Sequence, residues 1–277
     1  MSEPPSTIPA LFAATVAARG DRDAVAMMHE TVTYAELERR SARLARALLA
    51  AGAGKGARIA LLAPDGIFWV SAFLACLRIG AMVTCCSTLA APKELAHMIR
   101  HSDVQFFIGA RRFLSHDYGE KLAQAFPGLA GGKADALMVE DAPFLRRAWL
   151  EDAGGLPWAR SIDDLLAQAD EIPEALLPAI EAQVAPSDHS VVIYTSGSTS
   201  LPKAVLHTQW NITRHPPVLA QLFLIKPDDR MLPILPSFWL GGMADALLGE
   251  DAPFLRWAWL EYAGGRPWAR SIDDLLA

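Results

Sequence analysis

Cysteine is scarce in this sequence. The 277 residues include three cysteines, Cys76, Cys85 and Cys86, and no Cys-x-x-Cys pair. Two adjacent cysteines do not provide a disulfide framework, and zinc sites built on cysteine commonly contain a Cys-x-x-Cys pair. The pattern therefore argues against a disulfide-stapled secreted domain and against a zinc-binding domain. We expect a protein of a reducing compartment, the cytoplasm.

The sequence also has no excess of basic residues. Lys and Arg number 25 against 31 Asp and Glu, which gives a formal net charge of -6. Domains that bind nucleic acid usually present a basic face, so the charge argues against such a partner. No basic segment precedes the first apolar stretch, so we do not expect a secretory signal peptide. With 52% hydrophobic residues, the composition is that of a globular protein with a sizeable core.

One apolar stretch, residues 67–85, is long enough to cross a bilayer. Arg78 lies inside it, Gly80 follows, and the turn Pro64-Asp65-Gly66 precedes it. An arginine at the centre of a membrane span costs about 2.5–3.5 kcal/mol on insertion scales. We therefore predict a buried helix at residues 66–79 and a strand at residues 81–84; the alternative is a membrane span.

Helical and strand patterns alternate along the chain. Helical apolar spacing predicts a helix at residues 35–51, and a continuous apolar run predicts a strand at residues 58–63. The other predicted helices are 92–101, 111–125 and 211–223, and the other predicted strands are 104–108, 190–194 and 231–235. Pro216-Pro217 is expected to break the start of the last helix. Residues 171–188 are interpreted as a connector. This alternation favours an α/β fold with largely parallel sheets flanked by helices.

A long segment occurs twice. Residues 131–167 and 241–277 differ at six of their 37 aligned positions. Two copies are too few for a solenoid, which needs about three or more stacked units. A recent copying event and an assembly error both remain open. In the first copy, Ser161 and Asp164 have capping-box spacing. Helical spacing would place four residues of this copy on one face: Phe144, Leu145, Ala148 and Trp149.

Residues 194–203 (YTSGSTSLPK) form a loop rich in hydroxyl groups after an apolar strand. Hydroxyls and backbone N–H groups can surround an anion, and Lys203 can supply a point charge to a phosphate oxygen. Neither a Walker A loop nor a G-x-G-x-x-G motif is present. The alternative is a solvated linker. The candidate phosphate-binding residues are Thr195, Ser196, Gly197, Ser198, Thr199, Ser200 and Lys203.

The segment Tyr-Thr-Ser-Gly-Ser-Thr-x-x-Pro-Lys resembles the phosphate loop of the adenylate-forming (AMP-binding) superfamily, which includes acyl-CoA synthetases. Three other segments resemble family motifs in the same order: residues 33–37 (TYAEL), 205–208 (VLHT) and 236–242 (PSFWLGG). The similarity covers residues 8–242. The chain departs from the family pattern at Ser200 and Ala204, where the family usually has glycine.

The resemblance implies an activity and its ligands. In this family ATP and a carboxylic acid give an acyl-adenylate and pyrophosphate, and the acyl group then passes to a thiol such as coenzyme A. It implies bound Mg²⁺, with Thr199 as an indirect contact, and a small carboxylic acid, fatty or aryl, as the substrate. It also implies a substrate pocket near His207, Trp239 and Gly241. The family's catalytic lysine lies beyond this chain, so we expect the N-terminal part of the fold only.

The resemblance and the repeat together predict three regions. Residues 1–185 are expected to form a first α/β lobe, and residues 186–242 to contain the phosphate loop and the acyl-pocket segment. Residues 243–277, a copy of residues 133–167, are expected to form a poorly packed tail through which the protein could self-associate. We expect the isolated chain to be inactive. The alternative is a non-catalytic nucleotide-binding or interaction fragment. His97, His101, His116 and His189 lack metal-ligand spacing and are expected at the surface.

Overall fold

A largely parallel sheet forms the centre of the fold. The computed structural model describes residues 5–195, 201–226, 229–231, 235–242 and 256–258. The helices in these ranges are α1 (Ile8–Arg19), α2 (Tyr34–Ala50), α3 (Ile67–Arg78), α4 (Pro92–His101), α5 (Tyr118–Ala125), α6 (Ile162–Leu166), α7 (Leu177–Glu181) and α8 (Gln209–Leu222). The strands are β1 (Asp23–Ala26), β2 (Thr31–Thr33), β3 (Arg58–Leu62), β4 (Met82–Cys85), β5 (Phe106–Gly109), β6 (Arg112–Phe113), β7 (His116–Asp117), β8 (Arg147–Leu150), β9 (Arg160–Ser161), β10 (His189–Thr195), β11 (Lys203–Thr208), β12 (Arg230–Met231) and β13 (Arg256–Ala258).

The seven-stranded sheet has the order β11-β10-β4-β3-β5-β8-β9. Every neighbouring pair in it is parallel except the hairpin of β10 and β11. Its central strands are buried because they are continuous apolar runs, as expected for parallel strands covered on both faces. A second sheet has the order β12-β13-β1-β2, in which β1 and β2 are antiparallel. The mixed α/β architecture confirms the predicted fold class.

Helix α2 shows how the apolar spacing produces packing. Leu37, Leu44 and Leu48 are buried, and the helix packs on α3. The Thr33 side chain caps its first turn by accepting a hydrogen bond from the Glu36 backbone N–H at 3.2 Å. Because side chains three and four residues apart share one helix face, these leucines form a single apolar stripe along α2 that lies in the hydrophobic core.

The apolar stretch after residue 66 is a buried helix, α3, followed by the strand β4. Arg78, at the end of α3, is buried, and its guanidinium ion-pairs with Glu181 and with Glu38, the latter at 2.9 Å. It also donates to the Ser41 hydroxyl oxygen at 2.8 Å. A buried charge persists only when it is paired in this way. Within the described residues, no helix is long and apolar enough to span a membrane.

Two predicted helical segments are wrong. The segment predicted as a helix from residue 111 begins instead as the hairpin of β6 and β7, and α5 starts only at Tyr118. Leu114 has a φ of 52°, which a helix does not allow, and Asp117 then caps α5. The apolar residues around Trp149 belong to β8, which is parallel to β5, rather than to a helix. A short apolar run fits both periods, and its pairing with a distant strand decides the outcome.

Helix α8 begins earlier than predicted and does not stop at its prolines. It starts at Gln209 because the Thr208 side chain accepts a hydrogen bond from the Asn211 N–H at 3.3 Å, and Asn211 in turn accepts from the Thr208 N–H. Pro216 and Pro217 lie inside the helix. The predicted strand at residues 231–235 overlaps β12, Arg230–Met231, at Met231, and Leu235 is not part of a strand. Residues 232–234 lie outside the described part of the chain.

Candidate functional site

The hairpin of β10 and β11 carries the loop that the sequence singles out. Strand β10 pairs in parallel with β4, so its carboxyl end, Thr195, lies at the same edge of the sheet as the carboxyl end of β4. Strand β11 returns antiparallel, with Lys203 opposite Thr195. In open α/β sheets, ligands bind outside the carboxyl ends of the strands. The loop therefore starts at the edge where such a ligand would bind.

The two described ends of the loop are exposed. Thr195 and Lys203 are both accessible, and the Thr195 hydroxyl donates to the Lys203 carbonyl at 3.4 Å. Among the described residues, no carboxylate forms an ion pair with Lys203. An exposed ammonium without a protein counter-ion is suited to an anionic ligand. The candidates Ser196, Gly197, Ser198, Thr199 and Ser200 lie outside the described residues.

Tyr194 fixes the start of the loop to α4. Its side chain is buried, and burial raises the pKa of its hydroxyl. The hydroxyl donates to the Met98 carbonyl at 3.3 Å and lies 2.9 Å from the Ser102 hydroxyl and 3.0 Å from His101 Nδ1. Because the tyrosine proton is directed to the carbonyl, His101 Nδ1 carries the proton in its own contact.

The far end of the loop is attached to the same helix. His97 Nε2 donates to the Pro202 carbonyl at 3.0 Å, because a carbonyl oxygen can only accept. The rings of His97 and His101 stack with centroids 5.2 Å apart. Both histidines were expected at the surface without a role. His101 is exposed and His97 half-buried, and together they connect α4 to residues 194 and 202, one at each end of the loop.

His207 and Trp239, two candidates for the substrate pocket, have different surroundings. His207 lies on β11, half-buried, and desolvation lowers the pKa of its imidazole, assisted by the charge of His215. Its buried Nε2 has no hydrogen-bond partner among the described residues. Trp239 is 43% exposed and packs edge-on against the buried Phe238, with ring centroids 5.4 Å apart.

Asp65 anchors the segment that carries Trp239 and Gly241. This aspartate follows β3 in the sheet, and its Oδ1 accepts a hydrogen bond from the Ser237 N–H at 2.9 Å. Burial raises the pKa of the Asp65 carboxyl to about 6. A side chain at Gly241 would place its Cβ 2.7 Å from Leu235 Cδ1, and one at Gly242 would meet the Leu235 carbonyl oxygen at 2.3 Å. The backbone therefore passes too close for a side chain at Gly242, whereas at Gly241 the Leu235 side chain would have to move.

Sequence reasoning missed Asp65 and the residues of α4 that contact the loop. Asp65 was interpreted only as part of a turn, and its partner Ser237 is 172 residues away. His97 and His101 stand four residues apart on a predicted helix, a spacing that places both on one face. That spacing was the available signal. It could not show which part of the chain the face contacts. No group of metal-ligating side chains occurs among the described residues.

Comparison with known proteins identifies the family. The family model described as AMP-binding enzyme matches residues 12–249. The 3-hydroxybenzoate–CoA ligase of Aromatoleum sp. (strain CIB) is 29% identical over 232 residues, which cover 83% of this chain and 39% of that ligase. The 3-hydroxybenzoate–CoA/4-hydroxybenzoate–CoA ligase of Thauera aromatica is 27% identical over 242 residues, covering 83% and 40%.

Solved structures show the same fold. The anthranilate–CoA ligase AuaEII, solved in complex with anthranoyl-AMP, has a TM-score of 0.72 at 18% identity and covers 94% of this chain. This chain corresponds to 45% of that structure and spans about two fifths of the length of the curated relatives it matches, 39, 40 and 43%. The family match extends over most of the 277 residues. The chain therefore belongs to the AMP-binding enzyme family.

Proposed function

We propose that this chain supplies the phosphate-binding part of an acid–thiol ligase. The reaction would activate a carboxylic acid with ATP to an acyl-adenylate and then transfer the acyl group to coenzyme A. The observation that carries this proposal is Lys203, which is exposed and has no ion-pair partner among the described residues. It lies opposite Thr195 at the carboxyl edge of the sheet, in a chain of the AMP-binding family. The CoA ligases among its relatives support a small aryl or fatty acid as the substrate.

The proposed contacts follow from charge and position. Lys203 and the hydroxyl groups of the loop would bind the phosphates of ATP, since cationic and hydrogen-bonding groups stabilise the charge that develops on pyrophosphate as it leaves. Thr199 would contact Mg²⁺ indirectly, and the ion would supply positive charge at the phosphates. The proposed phosphate contacts are Thr195, Ser196, Gly197, Ser198, Thr199, Ser200 and Lys203, and the proposed acid contacts are His207, Trp239 and Gly241.

We further propose the three-part division of the chain into residues 1–185, 186–242 and 243–277. In this scheme the first part is the α/β lobe, the second contains the phosphate loop and the acyl-pocket segment, and the third is a weakly packed copy of residues 133–167. The complete reaction would need more than these three parts, because the chain matches about two fifths of its relatives' length. We expect the protein in the cytoplasm.

A second candidate function is that of a non-catalytic nucleotide-binding or interaction fragment. One observation favours it: large apolar side chains are exposed along β11 and α8. They are Val205, Leu206, Trp210, Val218 and Leu222. Exposed apolar side chains can serve as interaction sites or promote self-association. The duplicated tail would add to such self-association.

The test of the phosphate contact uses a matched pair of lysines. Lys203→Ala should weaken ATP binding by about 1–3 kcal/mol, the usual cost of losing a charge-assisted hydrogen bond. Lys133→Ala removes another exposed lysine, which lies in the first copy of the repeat, and should leave ATP affinity unchanged. Isothermal titration calorimetry with ATP and Mg²⁺ measures both. Equal affinities of the two variants would refute the assignment of Lys203.

A pyrophosphate-exchange assay tests whether the chain activates acids by itself. The purified chain is incubated with ATP, labelled pyrophosphate and a panel of fatty and aryl acids. Because both candidate functions leave the isolated chain inactive, we expect exchange no greater than that of the Lys203→Ala variant. Exchange that depends on a particular acid would show that the chain activates acids by itself, and would name the acid class.

A further inference from the structure

A pocket of about 320 Å³ lies beside α4 and the end of the phosphate loop. Its lining residues are Lys93, His97, Arg100, His101 and Leu201. Four of these five carry basic side chains, and all four come from α4. They are spaced by four, three and one residues, which places them along one face of the helix. We refer to this cavity as the α4 pocket.

The charge of the α4 pocket is largely uncompensated. No carboxylate is among its lining residues, and Lys93 has no hydrogen-bond or ion-pair partner in the described part of the chain. Arg100 is held at the rim: its Nε donates to the Asp141 carbonyl at 2.7 Å, and its Nη2 lies 3.4 Å from the Asp141 carboxylate. The guanidinium also lies over the Phe126 ring, 5.3 Å from the centroid. The Asp141 carboxylate therefore pairs with Arg100, and Lys93 is left without a counter-ion among the described residues.

The two histidines connect the pocket to the phosphate loop. Each has one ring nitrogen committed to the loop, since His97 Nε2 donates to the Pro202 carbonyl and His101 Nδ1 contacts the Tyr194 hydroxyl. The remaining nitrogen of each ring can donate only when that imidazole is protonated. A phosphate in the pocket would accept hydrogen bonds from the Lys93 ammonium and the Arg100 guanidinium.

We propose that the α4 pocket binds a phosphate group of a nucleotide ligand at a position separate from the phosphate loop. Its cations come from one helix, whereas the loop relies on Lys203 and hydroxyl groups. The site does not require the loop to bind ATP. A phosphate bound there would contact the same histidines that hold residues 194 and 202, so occupancy of the α4 pocket would stabilise both ends of the loop.

The test uses inorganic pyrophosphate as the probe and the full chain as the protein. Lys93→Gln removes a cation that has no partner in the described residues, so the fold should be unaffected. Lys133→Gln is the matched control. Calorimetry should show pyrophosphate affinity at least threefold weaker for Lys93→Gln than for Lys133→Gln, and the same ratio should appear when both are made in a Lys203→Ala background. Equal affinities of the two variants in that background would overturn the proposal.

Proton NMR of the histidine rings gives an independent readout. The Hε1 signals of His97 and His101 are assigned from His97→Asn and His101→Asn variants. Titration of the Lys203→Ala protein with pyrophosphate should move both signals, because the anion would lie against both rings. If neither signal moves while pyrophosphate binds, the anion is bound elsewhere and the proposal is wrong.

Two nucleotide probes identify the source of the phosphate. One is ATP, and the other is adenosine 3′,5′-bisphosphate, which represents the nucleotide end of coenzyme A. Both are titrated into the Lys203→Ala protein with and without Lys93→Gln. The probe whose affinity falls at least threefold on loss of Lys93 is the class of ligand the pocket takes. Loss of Lys93 without effect on either probe would overturn the assignment to a nucleotide.

Discussion

The two copies of the repeated segment give almost the same sequence two different environments. In the first copy, β8 lies between β5 and β9 in the large sheet, and Trp149 stacks on Phe106 with ring centroids 5.9 Å apart. In the second copy, the described residues Arg256–Ala258 form β13 between β12 and β1 of the small sheet. Corresponding stretches thus form a parallel strand in both sheets. The local sequence selects the strand, and the rest of the chain selects its neighbours.

Some of the six positions that differ between the copies are packed against the core in the first copy. Val139 is buried, and Gly249 takes its place in the second copy. Leu156 packs against the core, and the second copy has Arg266 there. A glycine at a buried valine position removes apolar contacts, and an arginine needs a partner or water. We therefore expect the second copy to be less well packed than the first.

The largest expected effect comes from the tryptophan shared by both copies. Trp149 is 2% exposed, so Trp149→Ala should lower the free energy of unfolding by about 3–5 kcal/mol through lost burial and an unfilled cavity. We expect Trp259→Ala, the same change in the second copy, to cost less than about 1 kcal/mol. Urea denaturation followed by circular dichroism measures both. Equal losses would show that the second copy packs as tightly as the first.

Elements determined by residues that are close together in the sequence were predictable. Helix α4 starts and ends as predicted because Pro92 favours a first turn and the apolar spacing is regular. The buried helix α3 was distinguished from a membrane span by Arg78, and its ion pair with Glu181 explains how that charge is tolerated. The capping box of Ser161 and Asp164 was also predicted and is present.

Contacts between distant residues were not predictable. The pairing of β8 with β5 made a strand of residues that also fit a helix, and the hydrogen bond between Ser237 and Asp65 joins positions 172 residues apart. The loop motif pointed to Lys203, and its exposure agrees with a phosphate contact. The side chains of α4 that hold the loop were not found, because a helix face visible in the sequence does not reveal its partner. The functional assignments within residues 196–200 stay predictions.

A smaller effect on stability is expected from Asp65, which holds the segment just before the second copy of the repeat. Asp65 accepts the Ser237 hydrogen bond just before Gly241, and burial raises the pKa of its carboxyl to about 6, from an ordinary value of 3.8. Between these two values the folded protein binds more protons than the unfolded chain, so stability falls as pH rises through this window. We expect Asp65→Asn to reduce this decrease in the free energy of unfolding by about 2 kcal/mol. The amide oxygen of asparagine still accepts the hydrogen bond but does not ionise.

The measurement compares urea midpoints of the wild-type protein and Asp65→Asn from pH 4 to pH 7. Asp117 provides an internal contrast, because its pKa is lowered to about 2, against the effect of burial, by the Glu120 N–H and by Arg111 and Arg112. The stability that ionised Asp117 contributes is lost only at lower pH, outside the range from pH 4 to pH 7. The curves should diverge above pH 4, with the variant more stable at pH 7. Parallel curves would show that the Asp65 carboxyl titrates normally.

The smallest expected effect tests the same helix cap in both copies. In the first copy, the Ser161 hydroxyl accepts from the Asp164 N–H at 3.0 Å, and the Asp164 carboxylate accepts from the Ser161 N–H at 3.1 Å. Ser161→Ala removes one of these bonds and should cost about 1 kcal/mol.

Ser271 and Asp274 repeat the motif in the second copy. If that copy is poorly packed, its short helix gains little from a cap, because most helical stability in proteins comes from tertiary packing. Ser271→Ala should then leave the urea midpoint within experimental error of wild type. A loss of about 1 kcal/mol in both variants would mean that residues 271–276 form a capped and packed helix, and that the second copy is folded like the first.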